Sequence, residues 1–245
     1  MKQRNKIYNS FFYAINSKPN KKEVLSSLNL TNQGKNMNAH NKAEKFWDRM
    51  ANYFDREERK NEPTNIKIIE KTRNRLKTSD IVLDYGCGTG TAAIEIASCV
   101  KEVKGIDISS KMIEAAKRKT VVHKVKNIDF AQTTIFDEKL KKGSFDVIFS
   151  FHLLHLVEDT PKVMQRINEL LKPSGLFISA TPCKGESFVQ RIFYFLFGKI
   201  IRIPYLKFFK IQELKSLMTD GNFEIVETEC LHQIGQQYFI VAKKI

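Results

Sequence analysis

The sequence predicts an α/β protein: a doubly wound, seven-stranded sheet, mostly parallel with an antiparallel last strand, and helices on both faces. Three observations lead there. Short apolar runs alternate with stretches whose apolar residues recur at helical spacing, as in a parallel sheet covered on both sides. A glycine-rich turn follows the first strand-like run, in "VLDYGCGTG" (82–90). The last two runs lie too close in sequence for a helix between them, so that pair can run antiparallel.

Phe46, Trp47, Met50 and Phe54 recur at helical spacing from Lys42 to Phe54, and a second helical stretch covers 64–76. "IVLDYG" (81–86) reads as a buried strand, followed by a helix from Thr91 to Ser98. "EVKGIDI" (102–108) is the next strand, and Ser109 or Ser110 can cap a helix over 111–119. Further strands are read at 127–132, 145–151 and 175–181, with a helix over 160–171 closed by "KPSG" (172–175). A helix over 209–220 precedes the final strands at 222–230 and 236–244.

The chain has 245 residues, enough for one domain of ordinary size with a small appendage. No apolar run reaches the length of a membrane-spanning helix, and the polar N-terminus lacks the pattern of a signal peptide. Cys87, Cys99, Cys183 and Cys230 are scattered, with no Cys-x-x-Cys pair, so neither a disulfide framework nor a metal site is expected and a cytoplasmic setting is. The net charge of +14 favours contact with something anionic, nucleic acid or a membrane surface. Residues 1–46 carry +7 of it. Residues 1–38, rich in Asn, Lys and Ser without periodicity, predict a disordered basic tail ahead of a domain over 39–245.

The glycine spacing narrows the ligand. In an open parallel sheet, ligands bind at the carboxyl ends of the strands, where strand order reverses. Gly86 and Gly88 fit a dinucleotide fingerprint, but its third glycine would fall at Thr91, and Gly90 comes one residue early. No lysine follows the glycines as a phosphate loop requires. Asp84, two residues before Gly86, would repel a pyrophosphate and suit an ammonium group. Asp107 ends the second strand, where an acid can accept both ribose hydroxyls of an adenosine. A ribose, a close backbone contact and a positive charge describe S-adenosyl-L-methionine.

"VLDYGCGTG", "GIDIS" and "FDVIFSFHLLHLVED" resemble the class I S-adenosylmethionine-dependent methyltransferases, within them the small-molecule type that includes the ubiquinone and menaquinone methyltransferases. "FWDRMANYFD" (46–55) is similar to the leading helix of that subgroup, with Phe54 where tyrosine is usual. The resemblance covers residues 42–245 and implies a Rossmann-like fold. It sets Gly86, Gly88 and Gly90 against the methionine part, Asp84 near its amino group, Asp107 on the ribose, and Ile108 and Met112 beside the adenine. Cys87, within the turn, and Ser150, ending the fourth strand, belong to the same expected contact set. Family members often place an acid after the third strand to meet the adenine amino group; Thr134 stands there in this chain.

Methyl transfer needs an aligned nucleophile, and a base only where the acceptor must lose a proton. His152 follows the fourth strand and is the first candidate for that base, with His155 the second. RNA 5-methylcytosine enzymes use a cysteine in roughly the place of Cys183, but their Pro-Cys pair after the fourth strand is replaced here by Phe151-His152. Residues 185–209 concentrate eight aromatics with interspersed Arg and Lys, and read as a lid over a hydrophobic acceptor, with peripheral contact to anionic membrane open to it. The expected function is methyl transfer to a small hydrophobic molecule. An RNA methyltransferase and a noncatalytic cofactor-binding partner subunit are the alternatives.

Overall fold

Seven strands form one sheet in the order β3-β2-β1-β4-β5-β7-β6. The computed structural model describes residues 41–51, 53–54, 62–186, 204–232 and 236–245. The tail over 1–38 and most of the 185–209 lid therefore lie outside the described residues. The strands are β1 (Ile81–Tyr85), β2 (Glu102–Asp107), β3 (Ile128–Gln132), β4 (Phe145–Phe151), β5 (Leu171–Pro182), β6 (Phe223–His232) and β7 (Gln237–Lys244). The helices are α1 (helical residues 41–51 and 53–54), α2 (Glu62–Arg73), α3 (Thr91–Ile96), α4 (Ser110–Val122), α5 (Thr160–Leu170) and α6 (Ile211–Asp220).

Neighbouring residues on each strand point to opposite faces, and both faces are buried. Leu83, Ile106, Ile148, Phe177 and Ile240 belong to a cluster shared with Met164 and Ile167 of α5 and Leu214 and Met218 of α6. Val82, Val103, Val147, Ile178 and Val241 belong to a second cluster, shared with Ile68 of α2, Ile96 of α3 and Ile113 and Ala116 of α4. Each large side chain so buried contributes about 1.5–3 kcal/mol. Pairing is parallel from β3 through β5, and β7 runs antiparallel to both β5 and β6. Chain order reverses between β1 and β4, where Asp84 of β1 is registered with Phe149 of β4.

Two local expectations are corrected. The helix over 160–171 ends at Leu170, and Leu171 already pairs with Phe145 as the start of β5. Leu171 has ψ 140°, and Pro173 holds Lys172 away from helical backbone. "KPSG" is thus an excursion inside the strand: pairing moves from Phe145–Leu171 to Val147–Leu176, and Ser174 takes φ 60°. The helix after Asp107 is longer than 111–119, spanning Ser110–Val122, with Ser109 as its cap: its hydroxyl accepts from Met112 N at 3.1 Å.

Ion pairs join α2 to the outer strand β6. Lys71 lies 2.6 Å from Glu227 and 2.7 Å from Glu229, Lys67 lies 2.7 Å from Glu229, and Arg75 reaches Glu227 as well. No described helix is long and apolar enough to cross a membrane.

Candidate active site

The turn after β1 is tied to the end of β2. Gly86 N and Cys87 N both donate to Ile106 O, at 2.8 and 3.0 Å. Gly86, Gly88 and Gly90 have φ of 79°, 51° and 79°, where a β-carbon is strained. At Gly90 a β-carbon would lie 2.6 Å from Phe130 Cζ and 2.9 Å from Ala116 Cβ, so only glycine lets α3 begin there. At Gly88 it would lie 2.9 Å from Phe54 Cε1, so the α1 aromatic ring closes over this glycine. From α4, Lys119 Nζ donates to Thr89 Oγ1 at 2.8 Å and Thr91 Oγ1 at 3.1 Å, bracing the turn.

Asp107 organises the rim of β2. Its Oδ2 accepts from Gly88 N at 3.1 Å and its Oδ1 from Ser109 N at 2.8 Å. Burial raises its pKa, while the bonds from Ser109 and Gly88 pull the other way. Asp48 of α1 meets the same turn: its Oδ1 accepts from Ser109 Oγ at 2.6 Å and from Lys111 N at 3.1 Å. The α4 N-terminus thus has two side-chain caps, one its own and one brought from α1, and its partial positive charge favours Asp48. Asp84 is 2% exposed at the end of β1. Cys87 is also buried, and burial, then Asp84 and Asp107, keep its thiol protonated well beyond the ordinary range.

The remaining expected contacts fall around this rim. Ile108 follows Asp107, and its carbonyl accepts from Gln132 Nε2 at 3.2 Å. Met112 is 2% exposed, deep beneath the α4 terminus. Thr134 uses its hydroxyl within its own turn, accepting from Phe136 N at 3.3 Å. Ser150 is fully buried, and its Oγ has no hydrogen-bond partner among the described residues.

His152 leaves β4 with φ 56°, a left-handed conformation that histidine enters more readily than most residues. Its backbone N–H donates to Ala180 O at 2.8 Å, and its Nε2 lies 3.2 Å from Asn65 Oδ1 of α2. Crowding by protein atoms lowers its pKa to about 4 although the ring keeps an exposed edge, so the imidazole is neutral near pH 7. Burial, with help from His152 and Lys184, lowers His155 to about 3, and its Nδ1 is buried without a partner among the described residues. Cys183 is buried at the end of β5, with Sγ 3.7 Å from Thr181 O.

The structure therefore gathers Gly86, Gly88, Gly90 and Asp107 at the point where strand order reverses, and sets His152 across from them at the end of β4. Those residues fit S-adenosylmethionine by their chemistry: a half-buried acid held by two backbone N–H groups stands where a ribose acid is expected, beside a turn of three left-handed glycines. Asp48, Glu44, Asn65 and Gln132 were not singled out from sequence. One signal was available: Glu44 and Asp48 stand four apart on one helix, a like-charge pair that is unfavourable without outside donors.

This fold and site define a class I methyltransferase. Residues 76–239 match the methyltransferase domain family, and the chain belongs to it. It is 31% identical over 183 residues to the ubiquinone biosynthesis O-methyltransferase of Rickettsia typhi, covering 67% of this chain and 69% of that one. It is 30% identical over 165 residues to the protein of the same name from Albidiferax ferrireducens, covering 64% and 63%. An S-adenosylmethionine-dependent methyltransferase structure from Thermotoga maritima superimposes with a TM-score of 0.65 over 83% of this chain and all of that one, at 21% identity.

Proposed function

We propose that this enzyme transfers a methyl group from S-adenosylmethionine to an oxygen of a small hydrophobic molecule. The observation that carries the reading is Asp107, held by Gly88 N and Ser109 N beside a turn of three left-handed glycines. The similarity to two ubiquinone biosynthesis O-methyltransferases supports an oxygen acceptor on an apolar body. When bound, the cofactor supplies an electrophilic methyl on a sulfonium.

The chain's own residues do the rest. Gly86, Gly88 and Gly90 admit the methionine part to close backbone contact, with Asp84 at its ammonium group. Asp107 accepts from the ribose hydroxyls, and Ile108 and Met112 form the apolar side of the adenine position. Neutral His152 takes the acceptor hydroxyl's proton as the oxygen attacks; with Nε2 donating to Asn65 Oδ1, Nδ1 carries the free lone pair. The eight aromatics and interspersed cations in the sequence of 185–209 suit an apolar acceptor and anionic lipid headgroups.

The experiment is methyl transfer from labelled S-adenosylmethionine to a lipid extract and, in parallel, to RNA. Label in the apolar fraction is expected. Label in RNA alone would overturn the reading. Cofactor binding with no turnover on either would favour a noncatalytic partner subunit.

A further inference from the structure

The expected position for an acid after β3 holds Thr134, and its hydroxyl is engaged in its own turn. A carboxylate nevertheless reaches this part of the rim from another element. Glu44 of α1 accepts through Oε1 from Gln132 Nε2 at 2.9 Å, and that same Nε2 donates to Ile108 O at 3.2 Å. Gln132 ends β3 in register with Asp107 at the end of β2. The carboxylate of Glu44 therefore stands on the β2–β3 edge, held by the strand end beside the ribose acid. Its other oxygen, Oε2, makes no hydrogen bond to a described residue. Four residues on, Asp48 fastens α1 to Ser109 and Lys111, which fixes where Glu44 is delivered.

An adenine's exocyclic amine is a donor and needs an acceptor, and a carboxylate is a stronger one than a hydroxyl. We infer that Glu44 is the residue that recognises the adenine amino group of the cofactor, supplied by α1 in place of the acid missing after β3. Gln132 positions it, and Asp48 secures the helix that carries it. The inference rests on the cofactor reading above and goes beyond it by assigning base specificity to a residue 88 positions from its strand partner.

The test compares two ligands by calorimetry: S-adenosylhomocysteine and its inosine counterpart, in which the amine is replaced by an oxo group. The full-length wild-type chain is expected to prefer the adenine form by about tenfold or more, the scale of one hydrogen bond to a charged acceptor. Glu44→Ala should bring that preference close to unity, while Glu44→Gln, which keeps an acceptor oxygen, retains part of it. Asp48→Ala, which frees the helix that carries Glu44, should weaken the adenine form more than the inosine form and so lower the ratio part of the way. An unchanged ratio in Glu44→Ala, with the variant melting as wild type does, would overturn the assignment. A wild-type chain that binds neither ligand would overturn the cofactor reading and this inference with it, an outcome distinct from loss of discrimination alone.

Discussion

The two halves of the sheet's carboxyl edge treat their polar groups differently. Beside β2 and β3, two sets of hydrogen bonds, Asp107 with Ser109 and Asp48, and Gln132 with Glu44, tie α1 to the ends of both strands. Beside β4, β5 and β7, Ser150 Oγ, His155 Nδ1, Gln236 Oε1 and Gln237 Nε2 are buried and have no partner among the described residues. A buried polar group left so costs about 1–3 kcal/mol. The first half is organised before anything binds, which suits a ligand common to every turnover. The second leaves several buried polar atoms without a partner among the described residues.

Variants should divide along that line. His152→Ala is expected to give the largest effect, lowering kcat by about 10²–10⁴-fold, the range of a lost general base. Its S-adenosylhomocysteine affinity should be unchanged; a parallel loss of both would erase the division. Because His152 titrates near 4, kcat should hold level from neutral pH until that region is approached, in contrast to the fall near 6.5 of an ordinary imidazole.

Asp107→Ala belongs to the other half. Cofactor affinity should weaken by about 1.5–3 kcal/mol, the worth of bonds to a charged group, with kcat at saturating cofactor largely kept. Calorimetry beside single-turnover kinetics separates the two quantities.

A smaller effect concerns stability rather than either half. Hydrogen bonds from Lys67 and Lys71 hold Glu229 below the ordinary glutamate value of 4.5. At Glu227 burial pulls upward, but Lys71 and Arg75 outweigh it. Carboxylates lowered in the folded state stabilise it fully above 4.5 and lose that contribution as pH falls through the folded value. The melting temperature should therefore decline below pH 4.5, less steeply in Glu229→Gln, and a variant indistinguishable from wild type would remove the ion pairs from the account. The smallest effect is expected from deleting residues 1–36: melting should stay cooperative and cofactor affinity unchanged.

Much of the sheet could be read directly from the chain, because strand alternation and glycine spacing are local signals. β5 could not: "KPSG" has the chemistry of a terminator, and only the pairing of Leu171 with Phe145 makes it a detour within a strand. The same divide runs through the site. Asp84, the glycines and Asp107 follow one another at a legible spacing. The bonds from Glu44 to Gln132 and from Asn65 to His152 cross 88 and 87 residues, and no local period reports them. Asp48 lies between these cases, visible within "FWDRMANYFD" as a residue but not as the cap of a helix sixty residues away.

The Lys67–Lys71–Arg75 ladder bears on what happens when two copies of the molecule meet. β6 is the last strand of the sheet, and an open edge is a template for strand addition by another chain. Here that edge alternates Glu224, Glu227 and Glu229 with other residues, and two register shifts against β7 break its regularity. Cations from α2 neutralise two of those acids at close range, while Val226, half exposed, is flanked on both sides by irregular pairing or charge. A second β6 approaching edge to edge would have to bring its own acids against these and match the same interruptions. The far edge, β3, offers a strand of only five residues. The sheet is thereby built to stop at its own boundary, which keeps a chain of alternating apolar strands from propagating into a fibril.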